Sequence, residues 1–308
     1  MILKERVEKD ELKILRSLDA RTTLSEAVKT NLISSEKGYQ GELKFDQWAI
    51  PLHKKMVFLN DLLIEYQGSP FQVDSCAFAS NTIFHFEVKN FEGDYRIKDG
   101  MWINPLGKEI KDPLLQMKRA ESLIRQQAQK LGFNPLVESY LIFVNPEFYL
   151  YNPPDNQSII YPAQLNRFMK KLQNRSLKVS KLDIKLAEKL LALHINESPY
   201  SRLPEYKFED LRKGILCFNC RRFYHTVEGR SLVCDYCGGK ENNQIAILRT
   251  VQEFQLLFPH EKLTTNKIHT MCGGIYENRT VRKVLLDNFE IKGFGQHSYY
   301  VKGGSVSK

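Results

Sequence analysis

The 308-residue chain has 42% hydrophobic and 26% charged residues, a composition typical of folded globular proteins and too apolar for a disordered one. It has no run approaching the roughly 18–20 apolar residues of a membrane-spanning helix and no apolar signal-peptide core, so we expect a cytoplasmic protein without a membrane partner. The net charge of +9 favours polyanionic partners without identifying one, and the length predicts about two domains.

The N-terminal residues 1–34 predict a helical segment, because apolar residues recur at helical spacing over the first twenty positions. The polar residues 21–35, which overlap the end of this segment, predict either irregular structure or a second short helix. A further helix, capped by Ser34 or Ser35, would carry Glu42. Two glycines in its first turns lower helix propensity, but glycine also lets the backbone lie close to a ligand or to another element.

A strand is predicted over residues 57–66, followed by two apolar runs at 71–79 and 82–88. Ser80-Asn81 separates the two runs, and a two-residue break of this kind predicts a tight hairpin. A second hairpin is predicted around Asp99-Gly100.

The polar residues of the first hairpin fall on one face, because side chains in a strand alternate with period two. His85, Glu87 and Lys89 share this face, and Asp74 lies on the paired strand. Buried acids are costly unless they bind something, so Asp74 and Glu87, joined by Glu42 from its helix, are candidate ligands for Mg²⁺ or Mn²⁺. Lys89 would orient the attacking water or stabilise the charge that develops during phosphodiester cleavage. The alternative is two ordinary surface strands with an incidental Glu–Lys pair. His85 could reach a ligand or the scissile phosphate, but we expect it to be a satisfied, half-buried strand residue.

Downstream, Asp112 and Pro113 mark the cap and first turn of a helix that ends before Gly132. A buried strand follows over residues 139–144. Strands mixed with at least one long helical crossover predict an α/β fold with a sheet packed by helices.

Taken together and in this order, several short motifs resemble the nuclease-related domain family known as NERD. The resemblance covers roughly residues 35–150, and the joint pattern is far more specific than any one of its parts. The motifs are Gly41-Glu42, Asn60-Asp61-Leu62-Leu63, Gln72-Val73-Asp74, Phe86-Glu87-Val88-Lys89-Asn90 and Glu92-Gly93.

The family is similar to Holliday-junction resolvases and belongs to the PD-(D/E)XK nuclease superfamily. The resemblance therefore implies a restriction-endonuclease-like fold, with a mixed central sheet flanked by helices. It also implies metal ligation by Asp74 and Glu87, support from Glu42, a catalytic Lys89, and a polar helix residue, Gln116, that faces the site.

Residues 151–204 predict a helical extension and linker, with basic helices over 165–177 and 181–194 and a domain boundary near 198–204. Beyond it, residues 205–240 carry two Cys-x-x-Cys pairs separated by thirteen residues, the spacing of a structural zinc ribbon rather than a disulfide framework. The two remaining cysteines are expected to be bystanders. The predicted zinc ligands are Cys217, Cys220, Cys234 and Cys237.

Residues 241–308 predict three helices followed by a β-hairpin, a pattern similar to a winged helix–turn–helix. The third helix would then enter the major groove of DNA, and the alternative is a small helical tail that packs on the nuclease or mediates dimerisation. The predicted nucleic-acid-binding residues are Asn278, Arg279, Arg282, Lys283 and, on the wing, Lys292.

The leading interpretation is a bacterial, cytoplasmic nuclease whose metal-dependent domain is delivered to double-stranded DNA by C-terminal modules. One alternative keeps the chemistry and makes RNA the substrate. Another is a non-catalytic DNA-binding regulator or scaffold with an inactive nuclease fold. A homodimer is compatible with each of these interpretations.

Overall fold

A computed structural model describes residues 1–156, 158–196 and 203–303. The chain folds into two compact units, one formed by residues 1–8 and 33–201 and the other by residues 9–32 and 202–308. The boundary predicted near residues 198–204 falls mainly on residues 197–202, which lie outside the described residues.

The helices and strands of the described residues are mostly joined by short connections, but residues 203–225 contain neither a helix nor a strand. The helices are α1 (Asp10–Arg21), α2 (Glu26–Ala49), α3 (Pro113–Lys130), α4 (Pro162–Asn174), α5 (Lys181–Leu191), α6 (Asn243–Leu257), α7 (Thr265–Met271) and α8 (Asn278–Asn288). The first-unit strands are β1 (Ile2–Lys4), β2 (Val57–Tyr66), β3 (Ser69–Ala79), β4 (Thr82–Lys89), β5 (Gly93–Lys98), β6 (Met101–Ile103), β7 (Glu109–Ile110), β8 (Leu136–Phe143), β9 (Phe148–Tyr151) and β10 (Ile159–Ile160). Those of the second unit are β11 (Thr226–Glu228), β12 (Ser231–Val233), β13 (Lys240–Asn242), β14 (Glu290–Lys292) and β15 (Tyr299–Val301).

The first unit is built on a mixed sheet of strand order β1-β2-β3-β4-β8-β10. Strands β2, β3 and β4 are antiparallel neighbours, whereas β8 runs parallel to β4 after the crossover through α3. Side chains of α2 and α4 bury one face of the sheet and those of α3 and α5 bury the other. The predicted α/β fold, a mixed sheet flanked by helices, is confirmed.

The hairpin formed by β3 and β4 has the two-residue turn that the sequence predicts. Ser80 and Asn81 adopt φ angles of 52° and 55°, the positive values that a type I′ turn requires. The pairing runs from Ala79–Thr82 at the turn to Ser75–Phe86. Phe86 packs into the core cluster shared with α2 and α4, so the opposite side of β4 faces α3.

A smaller sheet of order β7-β6-β5-β9 extends the first unit. Its β5–β6 connection is the predicted Asp99-Gly100 turn, where both residues have positive φ. The helix that follows starts where its cap predicts, because the Asp112 carboxylate accepts hydrogen bonds from the amides of Leu114 and Leu115. This cap positions the first turns of α3 and therefore Gln116.

The N-terminal prediction is wrong in two places. Residues 2–4 form a strand, β1, rather than the first turn of a helix, because they pair in parallel with Phe58 and Leu59 at the edge of the large sheet. Helix α2 begins at Glu26, well before the predicted caps Ser34 and Ser35, and continues without a break to Ala49. The long helix forms despite its two glycines, since its later turns bury Phe45 and Ala49 in the core.

The second unit contains a three-stranded sheet of order β11-β12-β13, the helices α6 to α8 and the β14–β15 hairpin. Its core includes Val251 and Phe254 of α6 together with Val281 and Leu285 of α8. Helix α1 belongs to this unit, and its fully buried Arg21 forms a bidentate ion pair with Glu253 of α6. Three helices and a terminal hairpin therefore form where the sequence predicts them.

Among the described residues, no helix is both long enough and apolar enough to cross a membrane.

Candidate active site

Asp74 and Glu87 lie next to each other at the open end of the β3–β4 hairpin, immediately beyond the Ser75–Phe86 pair. Oδ2 of Asp74 accepts a hydrogen bond of 2.8 Å from the backbone amide of Val88. Asp74 is buried, with 8% of its surface exposed. The hairpin thus holds the Asp74 carboxylate across from the strand that carries Glu87.

The Glu87 carboxylate is completely buried and only half satisfied. Its Oε1 accepts a hydrogen bond of 2.6 Å from the ammonium of Lys89, while its Oε2 has no hydrogen-bond partner among the described residues. Burial, followed by the negative charge of Asp74, raises the pKa of Glu87 to about 7. A buried carboxylate oxygen without a donor is costly, so this atom is a place where a cation would stabilise the fold.

Lys89 connects the strand to the helix α3. Its ammonium donates to Glu87 and, over 3.2 Å, to the Oε1 of Gln116. Burial alone would lower the pKa of Lys89, but the carboxylates of Glu87 and Asp74 outweigh it and raise that pKa. Lys89 is therefore charged at neutral pH, and Gln116 contacts it from α3.

Glu42 reaches the region from α2, and its carboxylate forms an ion pair with Arg6. The same guanidinium donates to both carboxylate oxygens of Asp46 and, over 2.8 Å, to the backbone carbonyl of Asp74. Only 2% of the Arg6 side chain is exposed. Arg6 thereby ties the start of the chain to α2 and to the strand that carries Asp74.

Sequence reasoning missed Arg6 because it lies in a stretch interpreted as a solvated helix. Its position after β1, which brings it beside Asp74, follows from a pairing between residues far apart along the chain. An arginine among alternating charges carries no local signal that separates it from an ordinary surface residue.

His85 differs from the half-buried residue that the sequence predicts. Its ring is fully buried, its Nδ1 lies 3.1 Å from the hydroxyl of Ser139, and its Nε2 has no hydrogen-bond partner among the residues described. The Nε2 lies 3.9 Å from Oε2 of Glu87. Burial, followed by the charge of Lys89, lowers the pKa of His85 to about 4, so the imidazole is neutral at pH 7.

The residues at the end of the hairpin fit a divalent cation in their donor chemistry. Carboxylate oxygens are the ligands that Mg²⁺ and Mn²⁺ prefer, and Glu87 offers a buried oxygen that nothing else in the described chain satisfies. Asp74, Glu87 and Glu42 do not, however, form one compact group. A compact group here means three or more His, Cys, Asp or Glu residues whose ligand atoms all lie within 4.8 Å of one another. Across the described ranges, the cysteines of the second unit form the only such group.

That compact group consists of the four cysteines predicted as zinc ligands. The sulfurs of Cys217 and Cys237 are 3.6 Å apart, and those of Cys220 and Cys234 are 3.5 Å apart. Tetrahedral zinc at about 2.3 Å from each thiolate separates its sulfurs by roughly 3.8 Å, so the cluster could hold zinc. The β11–β12 hairpin between the two Cys-x-x-Cys pairs brings them together.

The basic residues predicted to bind nucleic acid lie on the exposed side of α8 and on the following hairpin. On the opposite side of the helix, Val281 and Leu285 are buried. Weak ion pairs of 3.5 Å join Arg279 to Glu277 and Lys292 to Glu290. The exposed residues are Asn278, Arg279, Arg282, Lys283 and Lys292.

In a comparison with protein families, residues 37–144 match the family described as Nuclease-related domain. This segment is therefore similar to a nuclease-related domain. It contains Glu42, Asp74, Glu87, Lys89 and Gln116, and its bounds confirm the resemblance predicted for roughly residues 35–150. No similar protein was found among curated proteins, and none among solved structures.

The matched segment does not include Arg6, the cysteine cluster or α8. The four central strands of the large sheet, the acids at the hairpin end and the lysine beside them lie within the matched segment, whereas the edge strands β1 and β10 and Arg6 lie outside it.

Proposed function

We propose that the protein is a metal-dependent nuclease of PD-(D/E)XK type that hydrolyses phosphodiester bonds, with DNA as its substrate. The observation that carries this proposal is the buried Oε2 of Glu87, which has no hydrogen-bond partner among the described residues and lies beside Asp74 and the charged Lys89. The family match to a nuclease-related domain supports the same class of chemistry.

Asp74 and Glu87 would hold a Mg²⁺ or Mn²⁺ ion. When bound, such an ion neutralises phosphate charge and lowers the pKa of water. Glu42 would support the site from α2, with Arg6 balancing its charge. The cation would also satisfy the Glu87 oxygen for which the described residues provide no donor.

Lys89 would act on the phosphate itself. Its ammonium is already oriented by Glu87 and Gln116, so stabilising the charge of the transition state needs little further reorganisation. Gln116 holds the ammonium from the α3 side and would limit its rotation.

The second unit would deliver the nuclease-related domain to DNA. The α8 face with Arg279, Arg282 and Lys283 is exposed and basic, which suits phosphate and major-groove contacts in a winged-helix arrangement. Zinc in the cysteine cluster would stabilise the small ribbon, which has few apolar residues of its own. The net charge of +9 accords with a polyanionic partner. The cytoplasmic location and the homodimer stay predictions.

A cleavage assay with supercoiled plasmid and, in parallel, a long single-stranded RNA tests the proposal. The zinc-loaded full chain is incubated with Mg²⁺ or Mn²⁺ beside the variants Asp74→Asn, Glu87→Gln and Lys89→Met. We expect the wild type to nick or linearise DNA, and each variant to lose at least about 100-fold in rate.

The outcomes separate the alternatives. Cleavage of RNA alone would make the protein a ribonuclease with the same site. An inactive wild type that still binds duplex DNA would favour the non-catalytic regulator or scaffold. Activity that survives all three substitutions would place the chemistry elsewhere in the chain.

A further inference from the structure

Two buried polar atoms at the end of the hairpin face each other without a hydrogen bond. Nε2 of His85 and Oε2 of Glu87 are 3.9 Å apart, and both residues are fully buried. Within the part of the chain that the structure describes, neither atom has another hydrogen-bond partner. If Nε2 carries no proton, two lone pairs face each other in the protein interior. If it carries one, a donor faces an acceptor that is too far away for a hydrogen bond.

The other ends of both side chains are already occupied. The Nδ1 of His85 lies 3.1 Å from the hydroxyl of Ser139, and Oε1 of Glu87 accepts from Lys89. The ring and the carboxylate are therefore held so that the two unpartnered atoms point into the same gap. A hydrogen bond across that gap needs a separation of about 2.7–3.2 Å, which 3.9 Å exceeds.

One cation bound by both atoms at about 2.1 Å would span the gap. If the Nδ1 proton is donated to Ser139, the Nε2 lone pair faces Glu87 and is ready to ligate. The negative charges of Glu87 and Asp74, which interact with each other, favour a cation at this end of the hairpin. Water in the same gap would satisfy both atoms without adding charge, and it is the competing occupant.

We propose that His85 is a metal ligand that acts together with Glu87, so that the site binds Mn²⁺ and similar transition-metal ions more tightly than Mg²⁺. This inference rests on the proposed nuclease function and deepens it. Imidazole nitrogen is a poor ligand for Mg²⁺ and a good one for first-row transition metals, because Mg²⁺ strongly prefers oxygen.

The test uses the zinc-loaded full chain, so that the cysteine cluster is already filled, with Mn²⁺ and Mg²⁺ as probes. Calorimetric titrations give the two dissociation constants. Pulsed electron paramagnetic resonance on the Mn²⁺ form detects nitrogen bound to the ion, and protein labelled with ¹⁵N-histidine identifies that nitrogen as imidazole without any substitution. We expect a nitrogen signal that changes on labelling and a preference for Mn²⁺ over Mg²⁺ of about tenfold or more.

The variant His85→Gln should lose the nitrogen signal and most of the preference, while Mg²⁺ binding changes little. His53→Gln is the matched control, because His53 belongs to the same unit, is only partly buried and lies against Phe58. The control should keep both the signal and the preference. Circular dichroism checks that both variants are folded, and the labelling result stands even if His85→Gln is not.

The possible failures are distinguishable. Tight Mn²⁺ binding that requires Asp74 but gives no histidine signal would overturn the role of His85 and leave the nuclease proposal intact. The same signal in His85→Gln would also overturn it. A wild type that binds neither ion outside the cysteine cluster would overturn both proposals.

Discussion

Gly41 of α2 packs directly against Asn90, which follows the strand that carries Glu87 and Lys89. A Cβ added at Gly41 would lie 2.5 Å from the Cβ of Asn90, closer than side chains approach one another. The side-chain amide of Asn90 donates a hydrogen bond to the backbone carbonyl of Lys37, which also lies in α2. This contact fixes the helix that carries Glu42 against the end of the hairpin.

Substituting Gly41 by alanine should therefore destabilise the protein, by roughly 1–3 kcal/mol, because the added methyl overpacks a closed contact. Gly38, one turn earlier in the same helix, is the matched control. A Cβ there meets nothing within 4 Å, so Gly38→Ala should stabilise the helix by about 0.5–1 kcal/mol. Urea unfolding of the three proteins measures both effects, and equal signs for the two variants would contradict the packing argument.

Replacing Lys89 by methionine should lower kcat by about 100- to 1000-fold with a small change in KM, because the ammonium stabilises charge that develops in the transition state. Lys98→Met, on an exposed position of β5 in the same unit, should leave both constants within about twofold. Steady-state kinetics on a fluorescent oligonucleotide would measure this. A matching rise in KM with unchanged kcat would show that Lys89 serves only to bind substrate.

The contribution of Glu87 to the stability of the metal-free protein should decrease as pH rises through the range in which Glu87 ionises. The pKa of Glu87 is raised from 4.5 to about 7 by burial and by Asp74. Its contribution to stability is therefore fully present below about pH 4.5 and is lost as the pH rises through about 7. The change amounts to a few kcal/mol at most.

His85 opposes this trend, because its lowered pKa gives stability that is lost as pH falls from 6.5 towards about 4. The informative quantity is thus the difference between the wild type and Glu87→Gln. Urea unfolding from pH 5 to 8 in the presence of chelator should show that difference shifting in favour of the variant as pH rises. A difference that is independent of pH would mean that Glu87 ionises normally in the folded protein.

Substituting Cys217 by serine should reduce the zinc content of the protein well below one ion per chain, because the site loses one of its four thiolates. Cys272→Ser is the matched control. Cys272 is buried in the same unit but lies outside the cluster, so this variant should lose stability and keep its zinc. Elemental analysis after dialysis measures the metal, and equal zinc in both variants would exclude the cysteine cluster as the site.

Replacing Arg282 and Lys283 together by alanine should weaken duplex DNA binding and flatten its salt dependence. Each phosphate contact removed lowers the slope of log K against log salt by about 1. Lys240→Ala removes a lysine of the same unit that is paired with Glu228, and it should change the slope little. Fluorescence anisotropy at several salt concentrations provides the slopes. An unchanged slope in the double variant would place DNA binding on another surface.

Local patterns were sufficient where neighbouring residues determine the structure. The Ser80-Asn81 turn, the Asp112 cap and the two Cys-x-x-Cys pairs are each encoded within a few positions, because turns, caps and metal knuckles depend on short-range geometry. Period-two alternation then placed Glu87 and Lys89 on one face of β4, and the hairpin brought Asp74 beside them. The acids and the lysine of the candidate site were therefore predictable from the sequence alone.

Contacts between distant segments decided the rest. Arg6 binds Glu42 and the Asp74 carbonyl only because residues 2–4 add a strand to the sheet, and the same pairing overrides the helical pattern at the N-terminus. The Nδ1 of His85 contacts Ser139 of β8, α3 covers this face of the sheet, and no described residue reaches the other ring nitrogen within hydrogen-bonding distance. Sequence periodicity says which face a side chain is on. What the side chain meets there is set by elements brought together from tens of residues away, and only the tertiary structure specifies those.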